Sequence, residues 1–242
     1  MRCSMPLIPE NCHPFWSDFL DPIVIAMLDR IESEIGEDVN PEKQHILRFL
    51  ANDLNKITVV ILGQDPYPEH SAATGRAFEV GTLESWQQPF RQVSLKNIIR
   101  LIYKSYNNIE NYNDIPPFSR ISRDIAAGGF RLEEPQKLFK SWENQGVLLL
   151  NIWLSCGVSC PGAHRQIWQP FSIRLLNYIS LKKPDIHWFL WGKNAISYKS
   201  CIVSGNLHES RHPMMCSELY EDDFLKTDCI EKTMSLINWM GK

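Results

Sequence analysis

The chain of 242 residues has no apolar run near the roughly 18 residues that span a bilayer. Its first residues, MRCSMPLIPENCHPFW, hold neither a long apolar stretch nor a small-residue cleavage site, so no membrane span or secretory leader is expected and the expected location is cytoplasmic. A disulfide framework is missing too. The seven cysteines, at 3, 12, 156, 160, 201, 216 and 229, are odd in number and scattered, which fits reduced thiols. Only Cys156 and Cys160 lie close together, and without a second Cys/His pair at matching spacing no metal site is expected. There is no Gly-rich phosphate loop, which argues against the usual nucleotide-dependent enzymes, and neither a Gly-x-Ser-x-Gly elbow nor an obvious Cys–His pair to supply a nucleophile. Repeats, low-complexity tracts and linkers are also absent, so one domain over 1–242 is expected. A net charge of −3, with 22% charged and 44% hydrophobic residues, is that of an ordinary globular protein and points to no particular partner.

What the sequence does contain is a rhythm. Four apolar runs read as strands: ITVVILG (57–63), GVLLLNIWL (146–154), IHWFLWG (186–192) and, more weakly, CIVSGNLH (201–208). Each is continuous instead of alternating, the signature of strands covered on both faces in a parallel sheet. Helix-like segments lie around them at 17–35, 41–52, 94–107, 134–144, 165–181 and 222–239. In VSLKNIIRLIYKSY, for example, Leu95, Ile98, Ile99 and Ile102 share one face, with Ser94 as a candidate N-cap. Strands alternating with helices predict an α/β fold, a three-layer α/β/α sandwich around a central four-stranded, mainly parallel sheet.

Such sheets bind ligands beyond the carboxyl ends of their strands. Gln64, Asp65 and Tyr67 follow the first strand, Asn151 ends the second, Gly192 and Lys193 follow the third, and His212 follows the fourth. Any one polar strand end is weak evidence, but an Asp, an Asn and a His at separate ends make a plausible site. With nucleophiles lacking, the chemistry open to this set is hydrolysis by an activated water. An Asp can position the water and offset an oxocarbenium-like cation, a His can donate to an anionic leaving group, and an Asn amide offers donor and acceptor to a base edge. Arg91, Lys96, Arg100 and Lys104 recur at near-helical spacing and read first as a solvated face, while His208, Arg211 and His212 form a later cluster.

In this order, GQDPYP, GRAFEV, GVLLLN, FLWGKNA and HP resemble the main family of uracil-DNA glycosylases, from about Trp16 to the C-terminus, with SLKNI at 94–98 and SW at 141–142 in support. GQDPY with a Phe at this spacing is a highly specific signal. The resemblance implies that Asp65 activates water and that His212 stabilises the departing uracil anion through O2. Gln64 would contact the base through its backbone, Tyr67 would pack against C5 and exclude thymine, Phe78 would stack on the flipped base, and Asn151 would read N3–H and O4. Ser94, Gly192 and Lys193 fall where the family grips phosphates, which lets a chain of net acidic charge bind DNA. His164, in PGAH, reads as structural or close to a phosphate. The family resemblance implies DNA, single- or double-stranded, as partner, a monomer, no cofactor, no metal and no strand-cleaving lysine. Each residue also has an ordinary reading: Phe78 as core, Tyr67 as a turn ring, Asn151 as a strand end and His212 as a surface loop.

Three departures from the family stand out. Pro68 replaces the His after the Tyr, and EHSAAT replaces Gly-Gln-Ala-His. The last motif reads HPMMCSEL, leaving Met214 or Met215 as the apolar wedge in place of Leu. The segment around 103–138 is longer than in typical members, as an insertion would be. These changes admit a rival, a glycosylase that removes a bulky modified pyrimidine such as glucosylated hydroxymethylcytosine from bacteriophage DNA as a defence. A non-catalytic DNA-binding module is the alternative from another class, disfavoured because binding alone needs no Asp, Asn and His set.

Overall fold

Strand β1 (Val39–Asn40) and helices α1 (Pro22–Ile35) and α2 (Lys43–Ile46) precede the first long strand, β2 (Val59–Gly63). Helices α3 (Val93–Tyr106), α4 (Phe118–Ala126) and α5 (Pro135–Asn144) lead into β3 (Val147–Asn151), and the short β4 (Cys156–Gly157) pairs antiparallel with β1. Next come α6 (Arg165–Lys182), β5 (His187–Trp191), α7 (Lys193–Ser197), β6 (Asn206–Ser210) and α8 (Cys229–Thr233). The computed structural model describes residues 7–69 and 71–241; Cys3 and His70 of the preceding reading lie outside them.

The central sheet runs β3-β2-β5-β6, with every neighbouring pair parallel. The continuous apolar runs explain it. Val60, Leu62, Leu148, Leu150, Trp188 and Leu190 turn to one face, against α1 and α6, while Val59, Ile61, Val147, Leu149, Phe189 and Trp191 turn to the other, against α3, α5 and α8. Both faces are therefore buried, the condition that suits a parallel sheet and drives its assembly through apolar area removed from water. Among the described residues no helix is long and apolar enough to cross a membrane.

Several expected boundaries shift, each for a local reason. Helix 17–35 begins only at Pro22, where Asp21 accepts a hydrogen bond from the Val24 N–H at 2.9 Å and proline occupies the first turn. The 41–52 rhythm breaks at Leu47 (φ −104°, ψ 25°) into α2 and a 3₁₀ turn, and Arg48 reaches the Thr74 carbonyl. Strand 201–208 moves to 206–210 because the chain first turns at Gly205, where a Cβ would stand 2.6 Å from the Trp188 ring. Helix 222–239 shrinks to 229–233. Most of its apolar residues are buried, but the Asp223 carboxylate accepts from the Ser217 and Leu225 N–H groups and ties the start into a 3₁₀ turn. Ser94 is not the N-cap of α3; that position is Gln92.

Candidate active site

The carboxyl ends of β2 and β3 and the loop after β6 open into one cleft of about 420 Å³. Gln64, Asp65, Tyr67, Phe78, Ser94, Asn151, His212 and Met214 all line it, together with Pro66, Pro68, Ala73, Arg76 and Pro161. Gly192, Lys193 and Met215 were expected at the site but do not line the cleft. Gly192 backs His212, Lys193 is exposed at the start of α7, and Met215 is exposed on the loop outside.

Asn151 is delivered by strand register. It pairs with Gly63 across β2 and β3, and a Cβ at 63 would come within 2.4 Å of its Oδ1, so only glycine lets the amide stand there. Asn151 is 5% exposed, a buried amide at the cleft floor.

Asp65 is half-buried, and burial pushes its carboxyl above the usual carboxylate range. The Gly162 N–H, donating to Oδ2 at 2.8 Å, and the Gln64 amide oppose that rise by favouring the ionised form. Gly162 escaped the sequence reading because 97 residues separate it from Asp65.

His212 follows β6 by two residues. Its Nδ1 accepts the Met214 N–H at 3.1 Å, and burial holds its pKa below that of an ordinary imidazole. A neutral ring whose Nδ1 is an acceptor carries its proton on Nε2. Of the neighbouring cluster, only His212 faces the cleft. His208 bonds His187 across β5 and β6 (His208 Nε2 to His187 Nδ1, 2.9 Å), and the Arg211 guanidinium lies 3.5 Å over the Tyr220 ring.

Phe78 and Tyr67 form the aromatic wall. Phe78 adopts φ 64°, a strained value for a bulky residue and one that clusters at functional sites. Its ring centroid lies 5.7 Å from Trp191 and 6.3 Å from His212. The Tyr67 hydroxyl approaches the Phe78 carbonyl at 3.5 Å, and burial raises its pKa. Pro68 is pinned through its carbonyl, which accepts from Asn40 Nδ2 (2.8 Å) and the Ser159 N–H (3.0 Å).

The loop after His212 presents Met214 (58% exposed), Met215 (57%) and Leu219 (88%), the last unnoticed in the sequence because no periodicity marks it. This loop is braced from α3 and from the segment 103–138. Asn113 Nδ2 donates to Glu218 Oε1 at 2.9 Å, while Asn97 donates to the Pro213 carbonyl at 2.6 Å and is itself held by Arg100. Arg100 and Lys104 are thus spent on structure, Lys104 on Glu231 and the Thr227 carbonyl, and do not form a free basic face. His164 is likewise structural, bonded through Nδ1 to the buried Ser155, which also accepts from Trp168 Nε1.

No family model matches the chain. Curated relatives do. The uracil-DNA glycosylase of Francisella tularensis subsp. holarctica (strain LVS) is 32% identical over 217 residues, covering 88% of this chain and 84% of that one. The uracil-DNA glycosylase of Francisella philomiragia subsp. philomiragia is 30% identical over 242 residues, covering 93% and 98%. Among solved structures, the wild-type UNG of Nitratifractor salsuginis aligns with a TM-score of 0.66 at 23% identity over 85% of this chain and 86% of its own. Mimivirus uracil-DNA glycosylase aligns at 0.60 and 21% over 83% and 68%.

Proposed function

The chain belongs to the uracil-DNA glycosylase family, and from that premise we infer how its cleft excises uracil from DNA. It is a monofunctional DNA glycosylase, a hydrolase of N-glycosyl bonds, and its activity is the first step of base excision repair. The reading of the site rests above all on one observation: a carboxylate, an amide and an imidazole whose Nδ1 accepts a backbone N–H converge on a single cleft.

In this reading a uracil swung out of the base stack lies on the Phe78 ring, held by backbone contacts at Gln64. The Tyr67 ring packs against C5, where thymine's methyl would clash. Asn151 donates to O4 and accepts from N3–H; cytosine offers the opposite pattern and would leave the buried amide unpaired, at a cost of about 1–3 kcal/mol. As the bond from C1′ to N1 stretches, positive charge builds on the sugar and negative charge on uracil. Asp65 offsets the first and orients the water that adds to C1′, taking its proton; His212 donates its Nε2–H to O2 of the leaving anion. The products are an abasic site and free uracil.

We assign Ser94, Gly192 and Lys193 to the phosphates flanking the flipped nucleotide, and Met214, at the cleft rim, as the apolar wedge, with Met215 beside it. The segment 103–138 is read as an addition that braces this loop. The working unit is read as a cytoplasmic monomer, in keeping with the six described cysteines being free thiols. Replacing Asp65 with Asn tests the site. Release of uracil from a uracil-containing oligonucleotide should fall about 10²–10⁴-fold while DNA binding is kept, and equal turnover would refute the assignment.

A further inference from the structure

Gln64 carries an amide that backbone contact with a base leaves without a use. Its Oε1 accepts a hydrogen bond from Nδ2 of Asn194, 130 residues away in the first turn of α7. An amide held by its oxygen must turn its NH₂ group the other way, and the Gln64 side chain lies against the Asp65 carboxylate. From the opposite side the Gly162 N–H donates to Asp65 Oδ2. The carboxylate thus has one donor fixed by the backbone, and beside it an amide that favours its ionised form and is itself held through Asn194.

We propose that Asn194 is a positioning residue for Asp65: by holding the Gln64 oxygen it keeps the Gln64 NH₂ group turned to the side of the carboxylate, where it favours the ionised Asp65 at the cleft. The bond also ties the end of β2, at the cleft, to the start of α7, which follows β5. This role rests on the reading of Asp65 as the water-activating group. Asn194 touches no part of the substrate in that reading, so its effect should appear in the chemical step and not in affinity.

The test is a double-mutant cycle on steady-state uracil release, with thermal unfolding of each variant as a check on folding, since Asn194 is exposed. Asn194→Ala should lower kcat about 3- to 10-fold with KM nearly unchanged, the loss expected for one positioning hydrogen bond. Asn194→Asp should lose more than Asn194→Ala, because a carboxylate at 194 accepts from the Gln64 NH₂ and turns the Gln64 oxygen onto Asp65. In a Gln64→Ala background neither substitution should reduce kcat further. That background separates the clasp from a simple charge effect, which would persist without Gln64. Wild-type kcat in Asn194→Ala, or an undiminished loss in the Gln64→Ala background, would overturn the proposal. Asp65→Asn run alongside keeps the two claims apart: an inactive Asp65→Asn with a fully active Asn194→Ala sinks the clasp alone, whereas an active Asp65→Asn sinks the site reading beneath it.

Discussion

Gly192 sits at φ 95° and ψ 163°, a region that essentially only glycine occupies, and a Cβ there would stand 2.8 Å from His212 Cβ, 3.1 Å from its Cδ2 and 3.3 Å from its Cα. Gly192→Ala therefore does two things at once. It strains the backbone by about 1–3 kcal/mol, and it presses on His212 from behind along both ring and main chain, so the imidazole cannot escape by a rotamer change alone. In a protein of this size, about 2 kcal/mol corresponds to a Tm loss of roughly 4–8 °C. A shift of the imidazole approaching 1 Å from the leaving-group oxygen should cost about 10²-fold in kcat. The matched control is Gly36→Ala. Gly36 has φ 69° and ψ −160°, equally reserved for glycine, but nothing lies within 4 Å of its would-be Cβ. Thermal unfolding and uracil release of both variants separate strain from displacement: both should lose stability, and only Gly192→Ala should lose catalysis. Full activity in a folded Gly192→Ala, or equal activity losses in the two, would refute the link between Gly192 and the His212 position.

Three further outcomes follow from the same site and its surroundings. Because burial raises the Asp65 pKa in the folded state, ionising that carboxylate works against folding at neutral pH, so Asp65→Asn should raise Tm at pH 7 even as uracil release falls; a lowered Tm would show that the carboxylate is not under that strain. Tyr67→Ala should open room at C5 and allow thymine release from an oligonucleotide, and continued rejection of thymine would remove Tyr67 as the gate. His208 titrates at about 4, held down by burial first and by His187 second, so the unfolded chain takes up protons before the folded one as pH falls from 6.5 to 4. Stability should drop across that window, measured as Tm against pH, and His208→Gln should flatten the drop; an unchanged slope would exclude the histidine pair as its source.

The sheet was legible because its strands are continuous apolar runs, and the β2, β3 and β5 boundaries differ from the expected ones by at most three residues at either end. Where apolar spacing competed with side-chain caps, the caps prevailed: Asp21 starts α1 and Asp223 undoes the expected 222–239 helix. Strand ends also pointed to Asp65, Asn151 and His212, since a parallel sheet collects its carboxyl ends on one side. What escaped the sequence is what distant chain segments supply to those residues. The Gly162 N–H on Asp65, Asn194 on Gln64, the room that Gly63 leaves for Asn151 and the left-handed backbone of Phe78 depend on tertiary approach, and no local pattern encodes them.

The most direct test of the central claim is base release by the intact protein from oligonucleotides carrying a single uracil, thymine, cytosine or glucosylated hydroxymethylcytosine, each followed by alkaline cleavage of any abasic site. Cleavage confined to the uracil strand is the result predicted from Asn151 at the cleft floor and Tyr67 in its wall. Cleavage of the modified-cytosine strand with none at uracil would contradict it.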